Sequence, residues 1–254
     1  MLEEIAILTL FHFFLIFCRL GAAFMLFPGF GEVYVTARAR LITALSISSL
    51  MTPILAPLLP AEVPSDSTIM ILMIFSEILV GLFIGFITRM IQAVLHIAGM
   101  IIAFQSGLAS AMLFDSTQGS QGSIFGSFMT VVGLTLIFVT DLHHLMIAGI
   151  SESYNMFGAA IMPPVEDFAG FAVQTLSKGF VVAFQISSPL IIVGLLIYLS
   201  SGIMGRLMPQ MQAFFVIMPL QIYISFAILA IILSAGMMRY LEFFKETLEY
   251  LFTG

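Results

Sequence analysis

The stretch GRLMPQMQ, Gly205 to Gln212, separates two long apolar runs near the C-terminus. Apart from Arg206, no charged residue lies between Gly179 and Met238, and each run is long enough to cross a bilayer. Pro209 breaks a helix, and the side chain of Gln210 can bond backbone groups that such a break exposes. The stretch therefore predicts the tip of a helical hairpin, with Arg206 marking its cytoplasmic end under the positive-inside rule.

The composition supports a membrane protein throughout. Hydrophobic residues make up 61% of the chain and charged residues only 9%, whereas about a quarter of a typical soluble domain is charged. We therefore predict an all-α integral membrane protein with six to eight apolar helices arranged in helical hairpins. The candidate segments are Ile5 to Pro28, Leu41 to Leu59, Ile69 to Thr88, Met90 to Phe114, Ile124 to Thr140, Leu142 to Met162, Phe171 to Ser200 and Ala213 to Met238.

The positions of the charges suggest an orientation if all eight segments cross the bilayer. Basic residues then fall on one side and acidic pairs on the other, which places the N-terminus outside. This arrangement treats Arg89 as a short break between two spans. The basic set is Arg38, Arg40, Arg89 and Arg206, and the acidic set is Glu62, Asp66, Glu166 and Asp167.

Three charges lie within or beside apolar segments. A charge at the bilayer centre costs on the order of 3 kcal/mol on insertion scales unless it is paired or solvated. Arg19 and Glu77 can form an interhelical ion pair, which either stabilises the fold or lines a transport path. Lys178 lies near a segment end, where its side chain can reach the interface. The step from Gly81 to Gly85 predicts close helix packing without naming the partner.

The sequence shows no motif for catalysis, for a cofactor or for nucleic-acid binding. His143 and His144 follow Asp141, which suggests a metal or a proton relay. Adjacent residues on a helix point about 100° apart, so this pair should chelate poorly, and we predict no metal site. We also find no phosphate-binding glycine loop and no basic patch.

One long segment is polar. It follows a small, apolar stretch that begins at Gly107, and Asp115 to Ser123 contains no hydrophobic side chain. Such a composition cannot form a core, whereas its glycines, serines and glutamines exchange hydrogen bonds with water readily. The segment is either a solvated surface loop or a mobile plug in a water-filled passage.

These features together resemble the FliR family, export-gate proteins of the bacterial flagellar type III secretion system with counterparts in virulence injectisomes. The similarity covers most of the chain, and its order and spacing are more specific than any single motif. Thr36 and Ser116 depart from the family, which commonly has proline there, so the resemblance does not predict the local turn shapes at these two positions. The matching stretches are Phe17 to Phe30 followed by Arg40, Glu77 to Phe86, Phe104 to Asp115, Asp141 to Ser153, and Ile186 to Leu220.

The resemblance implies a subunit that joins FliP-like and FliQ-like proteins in a helical pore of the inner membrane and flagellar basal body. Residues 1–168 would be a FliP-like portion and residues 169–254 a FliQ-like hairpin. Other implied partners are FlhB-like and FlhA-like export components, unfolded export substrates and membrane lipid. The segment 107–123 would be the plug, with Gly107, Met112, Phe114, Asp115, Ser116, Gly119 and Gly122 as candidate gate residues.

Three alternatives remain open at the level of sequence. A virulence injectisome subunit of the same family would share every feature above. A secondary transporter or small-solute channel is suggested by Arg19, Glu77 and helices that contain Pro189 and Pro219, although the two halves show no inverted repeat. A purely structural membrane scaffold is the third alternative.

Overall fold

The computed structural model describes residues 2–107, 124–159, 165–207 and 213–253. Within these residues the chain forms seven α-helices and one short 3₁₀ helix, Ala56–Leu58, and no strand. The prediction of an all-α protein is therefore confirmed for the part of the chain that the structure describes. The helices are α1 (Leu2–Phe24), α2 (Ala37–Leu55), α3 (Ser67–Gln105), α4 (Ile124–Val139), α5 (Leu142–Met156), α6 (Val165–Leu207) and α7 (Ala213–Thr253).

The eight-segment arrangement is wrong at Arg89. The segment Ile69–Thr88 and the first part of the segment Met90–Phe114, as far as Gln105, form the single helix α3, which continues through this arginine. The guanidinium of Arg89 forms an ion pair with Glu32, which lies between α1 and α2, so the charge needs no helix break. Arg89 therefore does not mark the end of a helix.

Among the described residues, five helices are long and apolar enough to cross a membrane: α1, α2 with its 3₁₀ extension, α3, α6 and α7. A sixth span is possible if α4 and α5 cross together, although they are bent by 72° relative to each other. Asp141, at the break, has a left-handed backbone conformation with φ of 59°. This redirection explains why two predicted segments form a bent pair.

The first compact unit comprises residues 1–90, 137–175 and 244–254. Its apolar core joins α1 to the end of α2 and to α5, with methionines and Ile74 packed around it. Thr36 begins α2 by accepting a hydrogen bond from the Ala39 backbone N–H. The buried core residues are Phe11, Leu15, Ile16, Leu55, Leu59 and Tyr154.

The second compact unit comprises residues 91–136 and 176–243. The backbones of α3 and α4 approach closely here, because a Cβ atom added to Gly99 would lie 2.5 Å from backbone atoms of Gly126. The Ser187 hydroxyl on α6 donates to the Ala98 carbonyl of α3 at 3.1 Å. Each compact unit combines stretches that are distant in sequence. The predicted division into residues 1–168 and 169–254 was based on resemblance to other proteins and not on contacts within the chain. That division stays a prediction.

Candidate functional site

A buried ion pair lies in the first compact unit. Arg19 of α1 and Glu77 of α3 are 1% and 0% exposed, and the Arg19 Nε donates to a Glu77 carboxylate oxygen at 2.7 Å. A second guanidinium nitrogen donates to the other carboxylate oxygen at 3.1 Å, which makes the pair bidentate. The predicted interhelical ion pair is confirmed, and its role in a transport path stays a prediction.

Helix α5 completes the polar contacts of this pair. The Arg19 guanidinium donates to the Ser153 hydroxyl at 2.9 Å and to the Phe157 carbonyl at 3.2 Å. Its central carbon lies 3.7 Å from the centroid of the Tyr154 ring, while the Tyr154 hydroxyl donates to Glu77 at 3.0 Å. Two buried charges are tolerated only when such bonds replace their lost hydration. The cluster therefore connects α1, α3 and α5.

Two glycines allow α1 and α3 to approach closely beside this cluster. A Cβ atom added to Gly81 would clash with the Arg19 carbonyl oxygen, and one added to Gly85 would lie 2.9 Å from the Ala23 carbonyl oxygen. The tight packing predicted from this glycine step is therefore present, and its partner is α1. The short distance between the helices brings Arg19 within reach of Glu77.

The polar segment begins where α3 ends. Gly107 has φ of +76°, a conformation that favours glycine, and its N–H donates to the Phe104 carbonyl at 3.3 Å. Ile124 begins the next helix, so the proposed plug connects α3 to α4. The remaining predicted gate residues lie outside the described residues: Met112, Phe114, Asp115, Ser116, Gly119 and Gly122.

The end of α3 is held by two other helices of the second unit. The Gln221 side chain on α7 donates from Nε2 to the Gln105 backbone carbonyl at 2.6 Å. The Gln105 side chain passes over Gly194 of α6, where an added Cβ atom would lie 2.5 Å from its amide oxygen. The start of the polar segment therefore has defined support in the fold.

The other predicted site residues are not part of these two sites. Lys178 is exposed on α6, and Arg206 is exposed in the last turn of the same helix. A cation in this turn is favourable because the helix dipole is negative at its C-terminal end. Pro209 and Gln210 of the hairpin tip lie outside the described residues.

Asp141, His143 and His144 lie closer together than the sequence argument allowed. One ligand atom from each lies within 4.8 Å of the other two, and the imidazole centroids are 4.1 Å apart. The expectation that adjacent histidines point too far apart is therefore wrong here. These residues begin α5, however, and the positive end of a helix dipole disfavours a bound cation. The absence of a metal site stays a prediction.

The sequence reasoning missed three residues that the structure places at these sites. Ser153 and Tyr154 belong to the polar run from Ser151 to Asn155 within α5, a signal that went unused. Gln221 is a polar side chain with apolar neighbours in a long apolar helix, and it was missed for lack of a visible partner. In each case the polarity was visible in the sequence, whereas the partner was not.

Comparisons with known proteins support one family. Residues 10–247 match the family described as bacterial export proteins, family 1. The chain is 38% identical over 238 residues to the flagellar biosynthetic protein FliR of Caulobacter vibrioides, covering 92% of this chain and 93% of the relative. It is 32% identical over 240 residues to FliR of Bacillus subtilis, covering 93% and 92%.

A relative from another system is also similar. The chain is 29% identical over 168 residues to the Yop proteins translocation protein T of Yersinia pestis, covering 65% of this chain and 64% of the relative. The family match spans nearly all the helices described above, and the flagellar relatives are matched over almost their whole length. The chain belongs to the FliR family of bacterial export proteins.

Proposed function

We propose that this chain is a core subunit of the flagellar type III protein export gate in the bacterial inner membrane. In this role it forms part of the pore wall and supplies a plug for the passage of unfolded flagellar subunits. The observation that carries the proposal is the family match across residues 10–247. Two relatives above 30% identity are flagellar biosynthetic proteins, which favours the flagellar system.

The exposed apolar surface supports a place within a membrane assembly. Only 17% of the most apolar 18-residue stretch of α7 is buried within the chain, and 33% of the corresponding stretch of α6 is buried. Apolar surface of this extent needs lipid or other apolar protein around it. FliP-like and FliQ-like subunits are the proposed protein neighbours, with FlhB-like and FlhA-like components and unfolded substrates as further partners.

The two sequence portions of the chain have different roles in this proposal. Residues 1–168 form the FliP-like portion of the wall, and residues 169–254 form the FliQ-like hairpin, whose tip at Arg206 faces the cytoplasm. The plug is the segment 107–123, which a left-handed glycine separates from α3. Transport energy comes from other components, because no catalytic motif is visible in this chain.

Deleting Asp115 to Ser123 tests the plug. In a purified and fully assembled complex reconstituted into liposomes, the deletion should increase the leakage of ions or a small dye. The matched control replaces Glu62 to Ser65, an exposed connection before α3, with a Gly/Ser sequence of equal length. Unchanged leakage from an assembled complex that carries the deletion would rule out the plug.

Two alternatives are separated by other measurements. The similarity to the Yop translocation protein T favours an injectisome subunit as the second candidate, and complementation of a flagellar or an injectisome deletion strain distinguishes the two systems. A secondary transporter would accumulate a solute in liposomes that contain this chain alone. Co-purification with FliP-like and FliQ-like chains would favour the export gate instead.

A further inference from the structure

An open groove lies on α6 in the second compact unit. Its volume of about 640 Å³ falls within the roughly 300–1,000 Å³ that is usual for small-molecule sites. Its apolar lining consists of Phe180, Val181 and Phe184, which are 45%, 55% and 55% exposed. Aromatic surface exposed to this extent needs an apolar molecule beside it. The other lining residues are polar, namely Ser177, Gln185 and Ser188.

The charges of α6 place one end of this groove at a membrane surface. Lys178 and Arg206 are 28 positions apart with no charged residue between them, which is about 42 Å at 1.5 Å per residue of helix. A bilayer is about 40–45 Å thick when both headgroup layers are included. When Arg206 lies at one surface, Lys178 therefore lies among the headgroups of the other. The groove begins at this level and continues into the charge-free part of α6.

A second cation borders the groove from α7. Arg239 is the first charged residue after the charge-free stretch of that helix, and its Nε donates to the side-chain oxygen of Gln185 at 3.2 Å. Lys178 lies one helical turn from Val181, so it borders the same groove on α6. Arg239 also pairs with Glu242 at 3.4 Å, and these two side chains are 39% and 59% exposed. The guanidinium is therefore accessible to an anion from outside the chain.

We propose that this groove binds one anionic phospholipid, whose phosphate contacts Lys178 and Arg239 and whose acyl chain lies along the exposed rings. Guanidinium groups bind phosphate oxygens in bidentate geometry, and the lysine ammonium adds a point charge. An apolar helix of another protein would match the rings but not the two cations, whereas a phospholipid matches both. The inference requires only that the chain lies in a membrane, so it does not depend on the export role.

The test exploits the absence of tryptophan from the sequence. Phe184→Trp places a single fluorophore in the groove of the full chain, which is purified in a non-ionic detergent. Phosphatidylglycerol with brominated acyl chains is then titrated in, since bromine quenches tryptophan fluorescence on contact. Quenching should occur at a lower lipid concentration than with brominated phosphatidylcholine of the same chain length. The matched control is Ile192→Trp, at a residue of α6 that is 61% exposed and outside the groove.

Charge variants in the Phe184→Trp background test the two cations. Lys178→Gln and Arg239→Gln should each raise the phosphatidylglycerol concentration for half-quenching about fivefold, the effect of roughly one basic residue at an anionic membrane surface. Glu242→Gln should lower it about twofold, because a weak exposed ion pair no longer competes for Arg239. Lys178→Arg keeps the charge and should leave it unaltered, as should Arg206→Gln at the other end of the charge-free stretch.

Three results would overturn the lipid site. Equal quenching by the two brominated lipids would show that the groove does not select an anionic headgroup, which would leave this face of α6 to a protein neighbour. Equal quenching of Phe184→Trp and Ile192→Trp by phosphatidylglycerol would show general contact with lipid rather than a site. Unchanged half-quenching in a variant that combines Lys178→Gln with Arg239→Gln, and that elutes as the unchanged chain does in size-exclusion chromatography, would exclude the two cations as phosphate contacts.

Discussion

The buried polar contacts of the two compact units differ in kind. In the first unit a bidentate ion pair between Arg19 and Glu77 is surrounded by further donors and acceptors and excluded from solvent. In the second unit single neutral hydrogen bonds join the helices, from Gln221 to the end of α3 and from Ser187 to the Ala98 carbonyl. Charged groups become very costly when separated, whereas neutral bonds break at modest cost.

This difference indicates where the chain can rearrange. Removing either charge from the first unit leaves the other buried and uncompensated, so α1, α3 and α5 should stay together in every functional state. The neutral contact at the end of α3 lies beside the start of the proposed plug. We expect rearrangement to be cheaper near the Gln221 contact than near the ion pair.

The largest effect should come from Glu77→Leu, which leaves the Arg19 guanidinium buried without its counter-charge. We expect a loss of about 3–5 kcal/mol in unfolding free energy, measured by SDS-induced unfolding of the chain in mixed micelles. The double variant Arg19→Met with Glu77→Leu should recover most of this loss, since neither charge then remains.

The control for this experiment is Glu32→Gln, which disrupts an ion pair whose Arg89 and Glu32 side chains are 44% and 16% exposed. It should cost no more than about 1 kcal/mol, because ion pairs that solvent reaches are weak. Equal destabilisation by Glu77→Leu and by the double variant would show that the buried charges are not coupled. It would also contradict the proposed difference between a costly ion pair in the first unit and weak neutral bonds in the second.

An intermediate effect is expected from Tyr154→Phe. This change removes the hydroxyl that donates to Glu77 and keeps the ring beside the guanidinium. Because the acceptor is charged, the loss should be about 1.5–3 kcal/mol in the same unfolding measurement. Tyr34→Phe, on a tyrosine that is 71% exposed, is the matched control and should change little. A loss no larger than that of the control would show that the hydroxyl contributes nothing to the cluster.

The smallest effect should come from Ser187→Ala in the second unit. Its single hydroxyl proton is shared between the Ala98 carbonyl of α3 at 3.1 Å and the Ala183 carbonyl of its own helix at 2.8 Å. Neutral bonds between membrane helices average about 0.6 kcal/mol, and we expect a loss of this order. Ser188→Ala is the control, because the Ser188 hydroxyl donates only within α6 at 2.9 Å. A loss as large as that of Tyr154→Phe would contradict the proposed difference between the units.

The sequence was informative wherever a single residue type carried a strong physical constraint. Two unpaired charges in apolar segments are so costly that pairing Arg19 with Glu77 was predictable, and Gly81 with Gly85 indicated close helix packing. The break expected at Arg89 was wrong because a long side chain at the surface of a helix can pair with Glu32 without interrupting the helix. The angle argument was wrong at His143 and His144 because their imidazole centroids lie 4.1 Å apart although both residues belong to the same helix.

The amino-acid sequence by itself determined that this chain is an all-α membrane protein, which residues are too polar for lipid, and which family it resembles. Composition and apolar run length are local properties, and they need no knowledge of contacts. Only the tertiary structure decided that Ser153 and Tyr154 complete the ion pair and that Gln221 caps α3, since these hydrogen bonds join residues 77 to 134 positions apart. Which polar residues become partners depends on how the helices pack. The sequence contains many other polar residues, and nothing in it distinguishes the true partner from them.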